Sequence, residues 1–216
     1  MEKFRFYTRL HLSELLGFRA NTLEQMLEHI RHVPGSCIYH HTHRYLQQHE
    51  YLSPEPPNDF AFWAAGVLGE DELGEKLASI DIMQFSSIRE LRERIISVIV
   101  NHIDKYPQSK LRFAQAGKEF HFIKTISFVI PTQYEVSNLE EFCGALEKTD
   151  INSIYHHMFE ARLRLENKAN DFSSWIENHL GDGELAEQIS RLDPYTYALD
   201  DLRKALIKLI RKRLKN

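Results

Sequence analysis

Cysteine is scarce in this chain of 216 residues: only Cys37 and Cys143 are present. At most one disulfide can form, which excludes a small disulfide-stapled secreted domain, and two buried thiols in a reducing compartment is the simpler reading. No C-x-x-C pair and no Cys/His spacing of a structural zinc site occurs. Long apolar runs are missing as well. ISFVI and IISVIV fall far short of the ~20 residues that cross a bilayer, and MEKFRFYTRLHL is broken by charges where a secretory signal would be apolar. We therefore expect no membrane segment and a cytoplasmic protein. Charge of one sign is not in excess: 27 Lys and Arg against 31 Asp and Glu leave a formal net charge of -4. Such a balance supplies no basic field, so no nucleic-acid partner is expected. G-x-x-x-x-G-K-[ST], G-x-S-x-G and H-E-x-x-H are all absent. Nucleotide hydrolysis, α/β-hydrolase chemistry and zinc proteolysis thus lose their usual warrants.

What is present is enough for a packed core, with 43% apolar and 11% aromatic residues. The chain also echoes itself. SCIYHH at 36–41 recurs as NSIYHH at 152–157, NDFAFW at 58–63 as NDFSSW at 170–175, and GEDELGE at 69–75 as GDGELAE at 181–187. Upstream, FRF at 4–6 matches FHF at 120–122, and TLEQML at 22–27 matches NLEEFC at 138–143. The order is kept throughout. The first copy carries extra residues in LSPEPPNDF, most simply Pro54 to Pro57. The expected organisation is a tandem duplication, 1–110 and a diverged 117–216, packed as one compact unit.

Each half begins with an apolar segment. Phe120 to Ile130 is rich in Phe, Ile, Thr and Val and reads as a strand ending at Pro131, while Phe4, Phe6, Thr8 and Leu10 form a shorter extended segment. Helices follow. Thr22-x-x-Gln25, Ser87-x-x-Glu90 and Ser137-x-x-Glu140 fit the capping box, Asn58-Asp59 and Asn170-Asp171 read as N-caps, and Asp71 and Asp182 start shorter helices. Leu91, Ile95, Ile96 and Ile99 correspond to Leu202, Leu206, Ile207 and Ile210, spaced for one buried face. The fold class this predicts is mainly α (α+β with minor β), close to all-α. Its architecture is two duplicated helical halves related by a pseudo-twofold axis, each preceded by a short extended segment.

FRFYTRLHLSELLGF, IYHHTHRYL, YLSPEPPNDFAFW and the later FEARLRL…NDFSSW together resemble an uncharacterised bacterial family, a domain of unknown function. The resemblance spans nearly the whole chain. It implies no activity, cofactor or catalytic residue.

Three histidines lie within four positions in SCIYHHTHRYL. On a helix Tyr39 and His43 share a face, as do His40 and His43, while His41 points elsewhere. Tyr39, His40 and His41 have counterparts in Tyr155, His156 and His157, but His43 pairs with Phe159 and Glu55 lies in the inserted loop. Three readings stay open. Two imidazoles with Glu55 or Asp59 would suit a divalent ion, although no recognised metal signature is present and no metal is assigned. The imidazoles and tyrosines would equally serve as hydrogen-bonding ties between helices. An organic ligand or acid/base site is the third reading, with Tyr39, His40, Tyr155, His157 and Arg162 as ligand-binding candidates and His41, His43, Glu55 and Asp59 as catalytic ones. Asp59 also reads as a helix cap, since Asp171 persists without the loop. The seven basic residues from Arg203 to Lys215 flank an apolar stripe and read as a core-packed terminal helix.

The function this favours is a cytosolic, non-catalytic binding or regulatory protein, with a small polar or anionic ligand near the histidine-rich helix of the first repeat. The alternative is an enzyme there, using His41 or His43 as general base beside Glu55 or Asp59.

Overall fold

Two strands of 17 residues, β1 (Phe4–Ala20) and β2 (Phe120–Val136), pair into a two-stranded antiparallel sheet. The computed structural model describes residues 2–44, 58–161, 169–192 and 199–215. Along the ribbon Lys3 meets Glu135, the Phe6 carbonyl accepts from the Thr132 hydroxyl at 2.9 Å, and Glu14 meets Lys124. Positions rise on one strand as they fall on the other, the register of an antiparallel pair.

This overturns the expected mainly α, nearly all-α fold with its minor β: the protein is α+β with two full-length strands, 62% helix and 18% strand. The extended segments are long strands because aromatic and β-branched residues recur throughout both, and each strand satisfies the backbone groups along one edge of the other. β2 also runs through Pro131 to Val136. Proline is tolerated there because in a two-stranded sheet every strand has one unpaired edge, where a missing N–H costs no ladder bond.

The helices in chain order are α1 (Leu23–His32), α2 (Gly35–Tyr39), α3 (Asp59–Gly66), α4 (Asp71–Ala78), α5 (Ile88–Lys105), α6 (Leu139–Lys148), α7 (Ile151–Tyr155), α8 (Asp171–Trp175), α9 (Gly183–Ser190) and α10 (Leu199–Leu214). Three pass directly into π-helical turns, at His40–Arg44, His156–Glu160 and Ile176–Leu180. Thr22 and Ser87 cap α1 and α5 through the N–H groups of Gln25 and Glu90. Asp182 caps α9 through Leu185. The start of α6 lies one residue later than its pattern suggests: Asn138, not Ser137, accepts from the Glu141 N–H at 2.9 Å, and Glu141 reaches back to the Ser137 N–H. Asparagine wins because it ranks with serine as a cap and starts the helix in register with its apolar face. Among the described residues no helix is long and apolar enough to cross a membrane.

The chain folds as two compact units, and their borders fall inside the strands. One is continuous, His11–Ile126; the other is split, Met1–Leu10 with Ser127–Asn216. This corrects the picture of two helical halves each carrying its own preceding strand. Phe120 and Phe122 of β2 pack in the continuous unit, where Phe120 stacks on Phe60 at 5.2 Å between ring centres and meets the edge of Trp63 at 5.9 Å. Phe4 and Phe6 of β1 pack in the split unit, within 5.9 Å of Phe142 and Phe172. Each strand start therefore supplies an aromatic floor to the helices of the other stretch of sequence. At roughly 2 kcal/mol for each buried ring, these contacts are a large share of either unit's stability.

Candidate functional site

The echoed histidines are built into two parallel sets of contacts. In the continuous unit, His41 Nδ1–H donates to Asp59 Oδ2 at 2.7 Å and its Nε2 accepts from the Ile123 backbone N–H at 3.0 Å. In the split unit, His157 Nδ1–H donates to Asp171 Oδ2 at 2.7 Å and its Nε2 accepts from the Tyr7 N–H at 2.8 Å. A neutral imidazole has one donor and one acceptor, so each ring is fully used. The Asn-Asp dipeptides divide the work. Asn58 and Asn170 cap α3 and α8 by accepting from Ala61 and Ser173, which leaves Asp59 and Asp171, the first residues of those helices, to hold the histidines. The favourable field of a helix N-terminus supports a carboxylate at that position.

The preceding histidines differ between the units. His40 Nδ1 meets Thr125 Oγ1 at 2.9 Å. Burial first, and then the neighbouring His41, push the His40 imidazole down to about 4. His156 instead donates from Nδ1 to Glu160 Oε2 at 3.1 Å, and Arg9 Nε pairs with that same oxygen at 2.9 Å. Glu160 is buried, where a carboxyl group needs such partners. The π-helical turn His156–Glu160 has a widened i→i+5 backbone pattern, which brings side chains four apart close to alignment. No hydrogen bond reaches His156 Nε2 among the described residues.

That side chain borders an open groove of about 650 Å³ in the split unit. Phe4 and Trp175 contribute its apolar wall, and Lys3, Arg5, Arg9 and Tyr7 project from β1 and the residue before it. Lys3 and Arg5 lie 3.7 and 3.9 Å from Glu135, loose pairs that solvent screens. A small anion approaching His156 would meet guanidinium and phenol groups arriving at alternate strand positions.

His43 is buried; its Nδ1–H donates to Thr42 Oγ1 at 3.0 Å, because the threonine's own proton is spent on the Ile38 carbonyl at 2.7 Å. Its ring stacks on Tyr39 at 5.4 Å. Tyr155 is buried in the split unit. Of the expected catalytic set, His41 and Asp59 are brought together; Glu55 and Arg162 lie outside the described residues. His156, His157 and Asp171 place donor atoms within 4.8 Å of one another, the spacing of an incipient cation site. A cation on His157 Nδ1 would displace the proton shared with Asp171 while Nε2 still accepts from Tyr7, leaving an imidazolate. The ring therefore suits a tie better than a ligand. Tyr7, Arg9 and Thr125 were not legible as partners of the histidines. The one signal was alternation: Tyr7 and Arg9 sit on the strand positions opposite to Phe4 and Phe6.

No curated protein matches this sequence. Among solved structures the chain is similar to OrfY from Thermoproteus tenax, with 28% identity, 98% of this chain and 95% of that chain covered, and a TM-score of 0.81. A sequence profile described as "Family of unknown function (DUF5752)" matches residues 1–211, and the chain belongs to that family.

Proposed function

We propose that this protein is a non-catalytic cytosolic binding or regulatory module whose ligand is a small anion, a carboxylate or phosphate, held in the groove of the split unit. The observation that carries this reading is His156: a buried imidazole on the groove wall, fixed at Nδ1 by Glu160, with no hydrogen-bond partner at Nε2 among the described residues. Protonated, such a ring donates from both nitrogens, one to Glu160 and one to the ligand, and Arg9 stands next to it. The ligand thus sits beside the second histidine pair rather than the first. In the first pair both nitrogens of His41 are engaged and His40 is held neutral. Two unpaired, buried thiols, Cys37 and Cys143, agree with a reducing compartment.

Isothermal titration with inorganic phosphate and with succinate tests the proposal directly. Binding is expected to weaken roughly tenfold in His156→Phe. Equal affinity in that variant would refute the reading.

One observation favours a second reading, acid/base catalysis. A carboxylate on Nδ1 orients a histidine so that Nε2 faces a substrate, the arrangement of a general base. Glu160→Gln separates the two: a binding site loses affinity, whereas a catalyst retains binding and loses turnover.

A further inference from the structure

α10 carries a second charged surface, unrelated to the groove. Its apolar stripe, Leu202, Leu206 and Ile210, is fully buried. Outside the core the helix keeps the half-buried Ile207 and the exposed Leu214, less apolar surface than a lipid-inserting face needs. Its outward side borders a concave strip of about 550 Å³ lined by Lys204, Ile207, Lys208, Arg211, Lys212 and Lys215, with Glu147 on the far wall. Glu147 engages Arg211 at 2.5 Å, and Lys204 is matched by Asp201 at 2.8 Å. Lys208, Lys212 and Lys215 form no ion pair among the described residues. They sit at i, i+4 and i+7, one helix face about 10 Å long. In a chain of net charge -4 this is a local reversal of sign.

We propose that this strip docks an acidic polypeptide segment of a partner protein. The lysines follow one another at about 6 and 4.5 Å along the helix, a spacing that the long, flexible side chains of a glutamate-rich segment, with one residue every ~3.4 Å, can meet. The half-buried Ile207 between them offers an apolar contact that a peptide side chain can use and a phosphate backbone cannot. The strip is concave, which a flat bilayer does not follow. The chain's negative net charge opposes a polyanion as dense as duplex nucleic acid.

The test is fluorescence anisotropy of a labelled glutamate-rich decapeptide titrated with the full chain at low salt. Lys208→Glu/Lys212→Glu/Lys215→Glu is expected to weaken binding at least roughly tenfold, and the matching glutamine variant by less, while phosphate binding in the groove stays unchanged. Circular dichroism checks both folds, and the glutamine variant carries the comparison should charge reversal unfold the helix. No peptide binding at low salt, equal affinity in the folded variants, or tighter binding of a DNA duplex or of phosphatidylserine vesicles would each overturn the proposal.

Discussion

His157 Nε2 accepts a hydrogen bond from the backbone N–H of Tyr7, 150 positions earlier in the chain, at 2.8 Å. Asp171 holds the opposite nitrogen at 2.7 Å, so one imidazole ties α8 to β1 within the split unit. His41 does the same between Asp59 and Ile123 in the continuous unit.

Replacing either ring with one that cannot hydrogen-bond strands a buried N–H and a carboxylate. His157→Phe and His41→Phe should each cost about 2–4 kcal/mol in urea denaturation. His43→Phe keeps the stack on Tyr39 and loses the hydrogen bond to Thr42, so a smaller cost of about 1 kcal/mol is expected. A larger loss for His43 than for His41 would contradict the assignment of His41 as the tie.

Acid should weaken the fold through His40. Its folded value of about 4 lies below the ordinary value of about 6.5, so between those limits the unfolded chain binds more protons. Stability from this group is complete above pH ~6.5 and falls as pH drops toward 4, by about 3 kcal/mol in all. Unfolding free energies measured across that window should show the slope in the wild type and a reduced slope in His40→Leu. An unchanged slope would show that another group is responsible.

Thiol chemistry provides a third check. Burial pushes the Cys37 thiol up to about 12, outweighing the Ile123 N–H and Arg92, and Cys143 is buried too. Neither should react with a disulfide reagent at pH 8 in the native protein, whereas both should react in denaturant. Rapid native labelling of Cys37 would show that its helix opens readily.

Fragments test where the units end. Residues 11–126 contain β1 from His11, α1 to α5 and the β2 segment bearing Phe120 and Phe122. This piece should fold alone, with a cooperative thermal transition. Residues 1–110 lack both rings and the Ile123 N–H that His41 requires, a deficit of several kcal/mol. That fragment should show no cooperative transition. The reverse result would place the borders at the sequence repeat instead.

Much of the candidate site was legible as residue types but not as relationships. SCIYHH, NSIYHH and the Asn-Asp pairs stand out in the sequence, and their helical frame is local. Pairing at i and i+4 already places His156 beside Glu160 and Tyr39 beside His43. Which nitrogen meets a strand, and that Arg9 completes the Glu160 pair, depends on β1 residues far away in sequence. His43 stands out in the sequence because the second stretch has Phe159 in its place. In the structure His43 is buried against Tyr39 and Thr42, and the groove lies at His156.

The sequence alone therefore determined what is short-range: helix starts written by Thr22, Ser87 and the Asn-Asp pairs, and buried faces written by the spacing of Leu202, Leu206 and Ile210. A cap or a helical face is decided within a few residues, so composition and period suffice. Tertiary structure decided the strand pairing and the exchange of aromatic floors between the two stretches. It also decided that His156 borders the groove, with no hydrogen bond at Nε2 among the described residues. A strand's partner is set by long-range pairing and by the burial of rings such as Phe4 and Phe120 against distant helices, and neither leaves a periodic trace in the segment itself.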